Sequence, residues 1–280
     1  MHPIYTHIRQ VLSATYPDTE ASAMAKSILL DIFQFTQAEL YAGKDTDFGP
    51  KEAERLEDIL ERLKRYEPLQ YIIGETTFCG LTFKVSPDVL IPRPETAELI
   101  EWIQTDHREE RNLRILDIGT GSGCIPIALA KSLPDAQVSA WDISEQALRT
   151  AEENAQRNDA RVSFTKVDVL KDGYPPVCLD VLVSNPPYIT ESERKDMNRN
   201  VLDWEPNIAL FVPNDKPLLF YERIADIGLH TLRPGGSLFF EINQAYGPDT
   251  VQMLREKGYQ QVSLRKDMSG NDRMIKAIRP

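Results

Sequence analysis

The sequence of 280 residues predicts an α/β fold: a small helical domain and a β-hairpin come before an open, mostly parallel sheet whose last strand runs antiparallel. From residue 112 onward, short apolar runs rich in β-branched residues alternate with helical or loop segments, as βαβ units require. In chain order these runs are RILDIG, QVSAWDI, VSFTKVD, LDVLVSN, GSLFFEI, YQQVSLRKD and DRMIKAIRP. Only a short Met-Ser-Gly-Asn turn separates the last two, which is too short for a parallel crossover. The final strand is therefore expected to pair antiparallel with its predecessor.

The region before the sheet divides into helices and a hairpin. Apolar residues recur with helical spacing in PIYTHIRQVL and in KEAERLEDILERLKRY, and AMAKSILLDIFQFTQAELYAG is predicted to form a further helix ending near Gly43. The segment TTFCGLTFKVSP then changes to β-type residues around Gly80, which indicates a hairpin. We therefore expect a helical domain over residues 1–74, a hairpin linker over 75–92 and an α/β domain over 93–280.

Composition limits the class of protein. Hydrophobic residues at 41% and charged residues at 27% are typical of a soluble globular chain, and no apolar run approaches the length of about 18 residues that a membrane helix needs. The amino terminus lacks the apolar core of a signal peptide, so we expect a cytoplasmic protein that does not contact membranes. The net charge of -11 argues against direct nucleic-acid binding and favours a protein or small-molecule substrate. The three cysteines, Cys79, Cys124 and Cys178, lie far apart, so we expect neither a disulfide framework nor a metal site.

The motif LDIGTGSGCIPIALA indicates a ligand site. A predicted strand leads into Gly119, Gly121 and Gly123, which permit a tight turn, and a helix with free amino-terminal amides follows. The fingerprint of dinucleotide-binding proteins is not met, because Cys124 stands where its last glycine belongs. The loop is expected to bind a polar ligand, the alternative being a glycine-rich loop without one.

Asp142 identifies the class of ligand. It lies about twenty residues beyond the glycines, just past the next predicted strand, where a carboxylate can accept hydrogen bonds from both hydroxyls of a ribose. The alternative role is a cap for the helix that begins near Ser144. Beside the glycine loop, the first role predicts a nucleoside cofactor.

The tetrapeptide Asn185-Pro186-Pro187-Tyr188 ends the strand LDVLVS abruptly. In an open parallel sheet the carboxyl ends of neighbouring strands share one crevice, so Asn185 is expected to face the cofactor. The Asn185 side-chain carbonyl and the Pro186 backbone carbonyl can each accept one hydrogen of an NH2 group, and Tyr188 offers a flat wall. The alternative is a proline-terminated strand with a buried tyrosine.

These residues carry a resemblance. DIGTGSG, Asp142 and NPPY resemble the class I (Rossmann-like) S-adenosylmethionine-dependent methyltransferases that act on planar NH2 groups. EPLQYIIGETTFCGLTFKVSPDVLIPRPETAELI and the later WEPNIALF resemble the release factor glutamine N5-methyltransferases, from about Pro68 to the carboxyl terminus. The resemblance implies methyl transfer from S-adenosylmethionine to the glutamine of the Gly-Gly-Gln motif of peptide chain release factors. It also implies a helical leader, which we expect to dock the release factor, and we expect a monomer.

The resemblance assigns roles to individual residues. The implied cofactor-binding residues are Gly119, Thr120, Gly121, Ser122, Gly123, Asp142, Ile143, Asp168, Val169 and Asn185. The implied catalytic and substrate-binding residues are Asn185, Pro186, Pro187 and Tyr188. Arg93 and Glu95 of PRPET are expected to form a lid that closes over the methionine end of the cofactor or contacts the substrate backbone, or alternatively to cap and pair at a helix start. Ala97 replaces the second glutamate usual in this signature.

For three further residues, the sequence is compatible with two roles each. Trp204 and Glu205 either line the approach of the glutamine or belong to the core. Asp117, just before the glycine loop, is expected either to contact the ligand or to order that loop through hydrogen bonds to its amides.

Two other functions share parts of the pattern. NPPY also fits amino methylation of adenine in DNA or RNA, or of a ribosomal protein glutamine, although flipping a base favours a basic channel that this acidic chain does not suggest. A non-catalytic module that keeps the cofactor site for structure is the third possibility, and the intact glycine loop and NPPY argue against it.

Overall fold

The computed structural model describes residues 2–42, 48–173 and 178–280. The α-helices are α1 (Pro3–Leu12), α2 (Asp18–Ser27), α3 (Gln37–Ala42), α4 (Pro50–Lys64), α5 (Leu69–Ile73), α6 (Pro94–His107), α7 (Cys124–Ser132), α8 (Glu145–Arg157), α9 (Arg199–Leu202), α10 (Leu219–Thr231) and α11 (Gly247–Glu256). The strands are β1 (Glu75–Phe78), β2 (Leu81–Lys84), β3 (Arg114–Ile118), β4 (Gln137–Asp142), β5 (Val162–Lys166), β6 (Leu179–Ser184), β7 (Ile189–Thr190), β8 (Phe211–Val212), β9 (Leu232–Glu241), β10 (Gln260–Lys266) and β11 (Asp272–Ile278). Within the described ranges, no helix is both long and apolar enough to cross a lipid bilayer.

The chain forms two compact units. The first comprises Met1–Gly74 with Asn198–Trp204, and the second comprises Glu75–Met197 with Glu205–Pro280. Residues 75–92, predicted as a linker, thus belong to the second unit. The docking role of residues 1–74 stays a prediction.

The first unit is helical, and its core follows the predicted periodicity. Helix α4 buries Leu56, Ile59, Leu60 and Leu63 on one face, and its remaining positions are largely charged. Helix α1 contributes Tyr5, Ile8 and Leu12 to the same cluster. Burying a continuous apolar stripe in this way is what holds short helices together in water.

The prediction of one helix from Ala23 to Gly43 is wrong in its middle. Helix α2 runs into a π-helical turn, Ile28–Ile32, in which Phe33 N donates to Ile28 O five residues back. The chain then adopts a left-handed conformation at Gln34, with φ of 57°, before α3 begins. The wide turn coincides with full burial of Ile28 and Leu29, so packing of the apolar side chains prevails over helix continuity. The predicted end near Gly43 lies outside the described residues.

The second unit contains the predicted sheet. Seven strands of the described ranges pair in the order β10-β11-β9-β6-β3-β4-β5. Strand β11 is antiparallel to β10 and to β9, whereas the neighbouring pairs from β9 to β5 are parallel. The expected parallel sheet with an antiparallel final strand is therefore confirmed, as is the β1–β2 hairpin around Gly80.

Two apolar layers cover the sheet. Alternate residues of β6 enter opposite layers: Val181 and Val183 pack with residues of α6 and α7, and Leu182 packs with residues of α10 and α11. Strands that are covered on both faces read as nearly continuous apolar runs, and LDVLV is apolar except for Asp180, whose carboxylate pairs with Arg233.

The hairpin is tied to the sheet layer by two amide side chains, the buried Asn154 of α8 and the half-buried Asn158 that caps its carboxyl end. Asn154 Oδ1 accepts a hydrogen bond from Lys84 N at 2.6 Å, and its Nδ2 donates to Lys84 O and to Ser122 O. Asn158 Nδ2 donates to Thr82 O. One side chain, Asn154, thus holds both the hairpin and the glycine-rich loop.

Strand register brings three chain ends together. Ile118 at the end of β3 lies opposite Trp141 on β4 and opposite Ser184 on β6. Gly119 and Asn185, the residues that follow β3 and β6, therefore lie beside Asp142, the last residue of β4, at the carboxyl edge of the sheet.

Candidate active site

A cavity of about 320 Å³ lies at this carboxyl edge. It is bordered by the segments that follow β3, β4, β5 and β6, together with parts of two loops and of α10. Its lining residues are Asp88, Val89, Leu90, Ile118, Gly119, Gly121, Trp141, Asp142, Ile143, Ser144, Ala147, Val167, Asp168, Val169, Leu170, Lys171, Asn185, Pro186, Pro187, Pro206, Ile208, Ala209, Phe220 and Ile224. The lining is mainly apolar with a few polar groups, as is usual for small-molecule sites.

The glycine loop borders the cavity with backbone atoms. Gly119, Gly121 and Gly123 have φ values of 76°, 53° and 81°, a region that glycine adopts without the cost borne by other residues. A Cβ placed on Gly121 meets no atom within 4 Å, whereas a Cβ on Gly123 would lie 3.0 Å from Ala151 Cβ. Gly121 therefore leaves space beside the cavity, and Gly123 permits close packing of the loop on α8.

Asp142 holds the loop in place. Its Oδ2 accepts a hydrogen bond from Gly121 N at 2.9 Å, and its Oδ1 accepts one from Ser144 N at 2.9 Å. The cap of α8 is Ser144 itself, whose Oγ accepts from Ala147 N, so Asp142 does not cap that helix. Burial raises the pKa of Asp142, and the bonds from the backbone amides oppose that rise. A carboxylate offers about four lone-pair sites, so acceptor capacity remains on the cavity side.

Asp117 does not order the loop through hydrogen bonds, contrary to one of its two predicted roles. Neither of its carboxylate oxygens has a hydrogen-bond partner among residues 2–42, 48–173 and 178–280, and the same holds for Thr120 Oγ1. Gly119 N and Thr120 N donate instead to the backbone carbonyl of Trp141. Burial raises the pKa of Asp117 to about 7; the nearby Thr120 hydroxyl opposes that rise, and the neighbouring carboxylate of Asp142 adds to it.

The residues after β5 form the far wall. Val169 packs against the apolar cluster that contains Trp141 and Ile224. Asp168 is held by its own turn, because its Oδ1 accepts from Leu170 N and its Oδ2 pairs with Lys171 Nζ at 2.9 Å. Ile143, 40% exposed, lines the cavity after β4.

Asn185 enters a hydrogen-bond network as β6 ends. Its Nδ2 lies 3.4 Å from Thr96 Oγ1, and Thr96 Oγ1 donates to Glu241 Oε2 at 2.6 Å. Tyr188 OH donates to the other carboxylate oxygen, Glu241 Oε1, at 3.3 Å. The network joins the NPPY turn to the first turn of α6 and to the last residue of β9.

The acid in this network is fully enclosed. Glu241 is 1% exposed, and burial raises its pKa, while the charge of Arg273 and the Thr96 hydrogen bond oppose that rise. Burial likewise raises the pKa of the Tyr188 hydroxyl, so Tyr188 remains a donor at neutral pH.

The PRPET segment places its arginine in an ion pair. Arg93 occupies the cap position of α6 without a side-chain cap bond, and its guanidinium instead pairs with Glu205 Oε1 at 2.5 Å. Glu205 is buried and also accepts from Ile91 N. Burial raises the pKa of Glu205, and Arg93 opposes that rise. Trp204 lies in the first unit, where its Nε1 donates to Arg65 O.

The predicted site residues fall into two groups. Those that line the cavity are Gly119, Gly121, Asp142, Ile143, Asp168, Val169, Asn185, Pro186 and Pro187. Those that do not are Thr120, Ser122, Gly123, Tyr188, Arg93 and Glu95. Thr120 and Ser122, both in the glycine loop, are buried, and the Tyr188 hydroxyl donates to Glu241. In the described ranges, no group of three or more His, Cys, Asp and Glu side chains is placed to hold a metal ion.

Sequence reasoning missed two sets of residues. Residues 88–90 and Ile208 line the cavity from loops, and Ile208 is 60% exposed beside it. Thr96 and Glu241 contact NPPY from elements distant in sequence. One signal was available: Glu241 is an acidic residue directly at the end of the apolar strand GSLFF, at the same sheet edge as Asn185.

The strand order, with antiparallel β11 next to β9 and a cavity at the carboxyl ends of the parallel strands, defines a class I methyltransferase. Two family models match the sequence: Methyltransferase small domain over residues 95–203 and PrmC N-terminal domain over residues 4–74. A solved methyltransferase from Pyrococcus furiosus superposes with a TM-score of 0.53 at 18% identity, covering 81% of this chain and 98% of that one, which shows the fold.

Relatives of the whole chain narrow the class. A release factor glutamine methyltransferase of Bacteroides thetaiotaomicron is 50% identical over 280 residues, all of both chains. One of Flavobacterium psychrophilum is 42% identical over 97% of this chain and 96% of its own length. The chain belongs to the release factor glutamine methyltransferase family.

Proposed function

We propose that this protein transfers a methyl group from S-adenosylmethionine to the side-chain amide nitrogen, N5, of the glutamine in the Gly-Gly-Gln motif of peptide chain release factors. Family membership supports the reaction and the partner. The structural observation that carries the proposal is that Asn185 and Pro186 line the same cavity as Gly121 and Asp142. An acceptor pair for an NH2 group thus adjoins a site for a nucleoside.

The residues that line the cavity support S-adenosylmethionine as the cofactor. The space beside Gly121 admits the methionine portion close to the loop backbone, and the remaining acceptor capacity of Asp142 suits the ribose hydroxyls. Ile143 and Val169 provide apolar surfaces for the adenine. When bound, S-adenosylmethionine supplies a methyl group that its sulfonium has already activated.

The chain's own contribution to the chemistry is orientation. An amide nitrogen is a poor nucleophile because its lone pair is delocalised into the carbonyl. Acceptors at Asn185 Oδ1 and Pro186 O would bind both amide protons, hold the nitrogen in line with the methyl group and increase its electron density. NPPY contains no strong base, and the methylated amide loses its extra proton readily, so no proton acceptor is required before transfer.

The partner is expected to be the Gly-Gly-Gln domain of a release factor, docked by the helical unit of residues 1–74. We expect a cytoplasmic monomer without membrane contact. The net charge of -11 fits a protein substrate better than a nucleic acid.

The test is peptide mass spectrometry of an unmethylated release factor incubated with this protein and S-adenosylmethionine, beside adenine-containing DNA and total ribosomal protein. One added methyl on the Gly-Gly-Gln glutamine and none on the DNA is expected. Transfer to DNA or to a ribosomal protein alone would contradict the proposal and identify the substrate class instead.

A further inference from the structure

We propose that Thr96 and Glu241 are positioning residues that determine which end of the Asn185 side-chain amide faces the methyl acceptor. The inference rests on the proposed function, in which Asn185 Oδ1 accepts a hydrogen bond from the NH2 group of the substrate.

The two ends of a primary amide are nearly equal in size and opposite in hydrogen-bonding polarity. Rotation of the Asn185 amide by a half turn would present its NH2 group to the substrate NH2 group, so that two donors would face each other. Steric fit alone cannot prevent this rotation, because oxygen and NH2 occupy similar volumes. The neighbours of the amide must therefore select its orientation by polarity.

Thr96 supplies that selection. A hydroxyl has one proton, and Thr96 Oγ1 donates it to Glu241 Oε2 at 2.6 Å. Towards Asn185 the hydroxyl can then only accept, so the donor end, Nδ2, turns to it at 3.4 Å and Oδ1 turns away. The 3.4 Å contact is long, as catalytic hydrogen bonds often are before substrate binds.

Glu241 fixes the direction of the Thr96 hydroxyl. As a carboxylate it only accepts, and it takes a second hydrogen bond from Tyr188 OH on Oε1. Burial raises the pKa of Glu241, whereas the hydrogen bond from Thr96 and the charge of Arg273 oppose that rise and favour the carboxylate on which this direction depends. Strand register fixes its place, because Phe240, the residue before it, lies opposite Ser184, the residue before Asn185.

Two substitutions test the inference in steady-state kinetics with the release factor. Thr96→Val removes the hydroxyl at nearly constant volume, and Glu241→Gln introduces an amide that can donate to Thr96 and so release its proton towards Asn185. Each is expected to lower kcat by about 10-fold while changing the KM for the release factor and the affinity for S-adenosylmethionine by less than about 2-fold. Thr96→Ser, which keeps the hydroxyl, is expected to restore kcat.

Thr231→Val is the matched control. Thr231 is 2% exposed, as is Thr96, and its Oγ1 donates to Ile227 O at 2.8 Å within α10. It lies beside the start of β6, whereas NPPY follows the end of that strand at the opposite edge of the sheet. It should lose stability as Thr96→Val does and keep the wild-type kcat. Equal losses of kcat in both variants would assign Thr96 a structural role only and overturn the inference.

The Asn185→Ala background provides the decisive comparison. If Thr96 acts through the Asn185 amide, Thr96→Val should lower the residual rate of Asn185→Ala by less than about 2-fold. A loss of about 10-fold on both backgrounds would overturn the inference.

A second readout does not depend on catalysis. Hydrogen exchange of the Asn185 side-chain NH2 group, followed by NMR, should be faster in Thr96→Val than in the wild type and unchanged in Thr231→Val. Absence of methyl transfer by the wild type would refute the proposed function, whereas equal exchange in Thr96→Val and wild type would refute the orienting role.

Discussion

The two sides of the cavity are built differently. On the cofactor side, the loop of residues 119–123 is held by backbone geometry and by Asp142. The carboxylate of Asp142, at the end of β4, accepts a hydrogen bond from Gly121 N in the loop that follows the neighbouring strand β3. On the acceptor side, Asn185 depends on side chains from α6 and β9, with Thr96 and Glu241 separated by 145 positions in the chain. The cofactor side is therefore specified by short motifs, and the acceptor side by a network that exists only in the folded unit.

This difference predicts which substitutions should change the affinity for S-adenosylmethionine and which should change the rate of methyl transfer. Backbone and carboxylate changes at the glycine loop should alter the affinity for S-adenosylmethionine. Changes in the Asn185 network should alter the transfer step, because its hydrogen bonds act on Asn185 and Tyr188 of NPPY.

The largest expected effect is that of Asn185→Ala on transfer. Loss of the amide removes an acceptor that orients the substrate nitrogen, so kcat should fall by about 100-fold or more with the dissociation constant of S-adenosylmethionine within about 2-fold of wild type. Single-turnover kinetics and isothermal titration calorimetry measure the two quantities. An equal loss of binding and transfer would show that Asn185 shapes the cofactor pocket, and the contrast between the two sides would fail.

Asp142→Ala should give the opposite pattern. Removal of the carboxylate takes away the ribose acceptor and the hydrogen bond to Gly121 N, so the dissociation constant of S-adenosylmethionine should rise by about 30-fold, with kcat at saturating cofactor within about 3-fold of wild type. Glu145→Gln serves as the control, because Glu145 is an exposed carboxylate nearby that pairs with Lys166 and does not line the cavity. Similar binding losses in both variants would point to a general effect of negative charge.

A pair of glycine substitutions separates backbone strain from ligand contact. Gly121 and Gly258 both have positive φ, 53° and 95°, and a Cβ on either meets no atom within 4 Å. Each change to alanine should lower the free energy of unfolding by about 1–2 kcal/mol, measured by urea denaturation. Only Gly121→Ala should also weaken cofactor binding, by about 5-fold, because only Gly121 borders the cavity. Unchanged cofactor binding in Gly121→Ala would remove the loop backbone from the proposed site.

The two sides also differ in how far the sequence alone predicts them. A few consecutive residues are enough to recognise the glycines that need positive φ, the carboxylate at the end of β4 and the proline-terminated β6. The alternation of strands with helices then places these strand ends at one edge. Thr96 gave no local pattern, and the acidic residue after GSLFF indicated only that Glu241 lies at this sheet edge. The contact of both residues with NPPY depends on the pairing of β9 with β6 and on the packing of α6. The π-helical turn at Ile28–Ile32 was missed for a similar reason, because tertiary packing replaced the regular period there.

A further expected effect is on stability rather than on transfer, and it concerns Asp117, the buried carboxylate on the cofactor side that has no hydrogen-bond partner among the described residues. Its folded-state pKa of about 7 lies above the ordinary value of 3.8, so between these values the folded protein retains a proton that the unfolded chain has lost. Stability in the absence of cofactor should therefore fall as pH rises through this window and level off above about pH 7. Asp117→Asn is neutral at every pH and lacks this contribution. Urea midpoints measured from about pH 4 to about pH 8 should show that the stability of Asp117→Asn rises relative to that of the wild type as the pH increases. The difference between the two proteins at the acidic end is the reference. Parallel curves would mean that Asp117 stays ionised in the fold, and that water or a cation, rather than a proton, compensates its burial beneath the glycine loop.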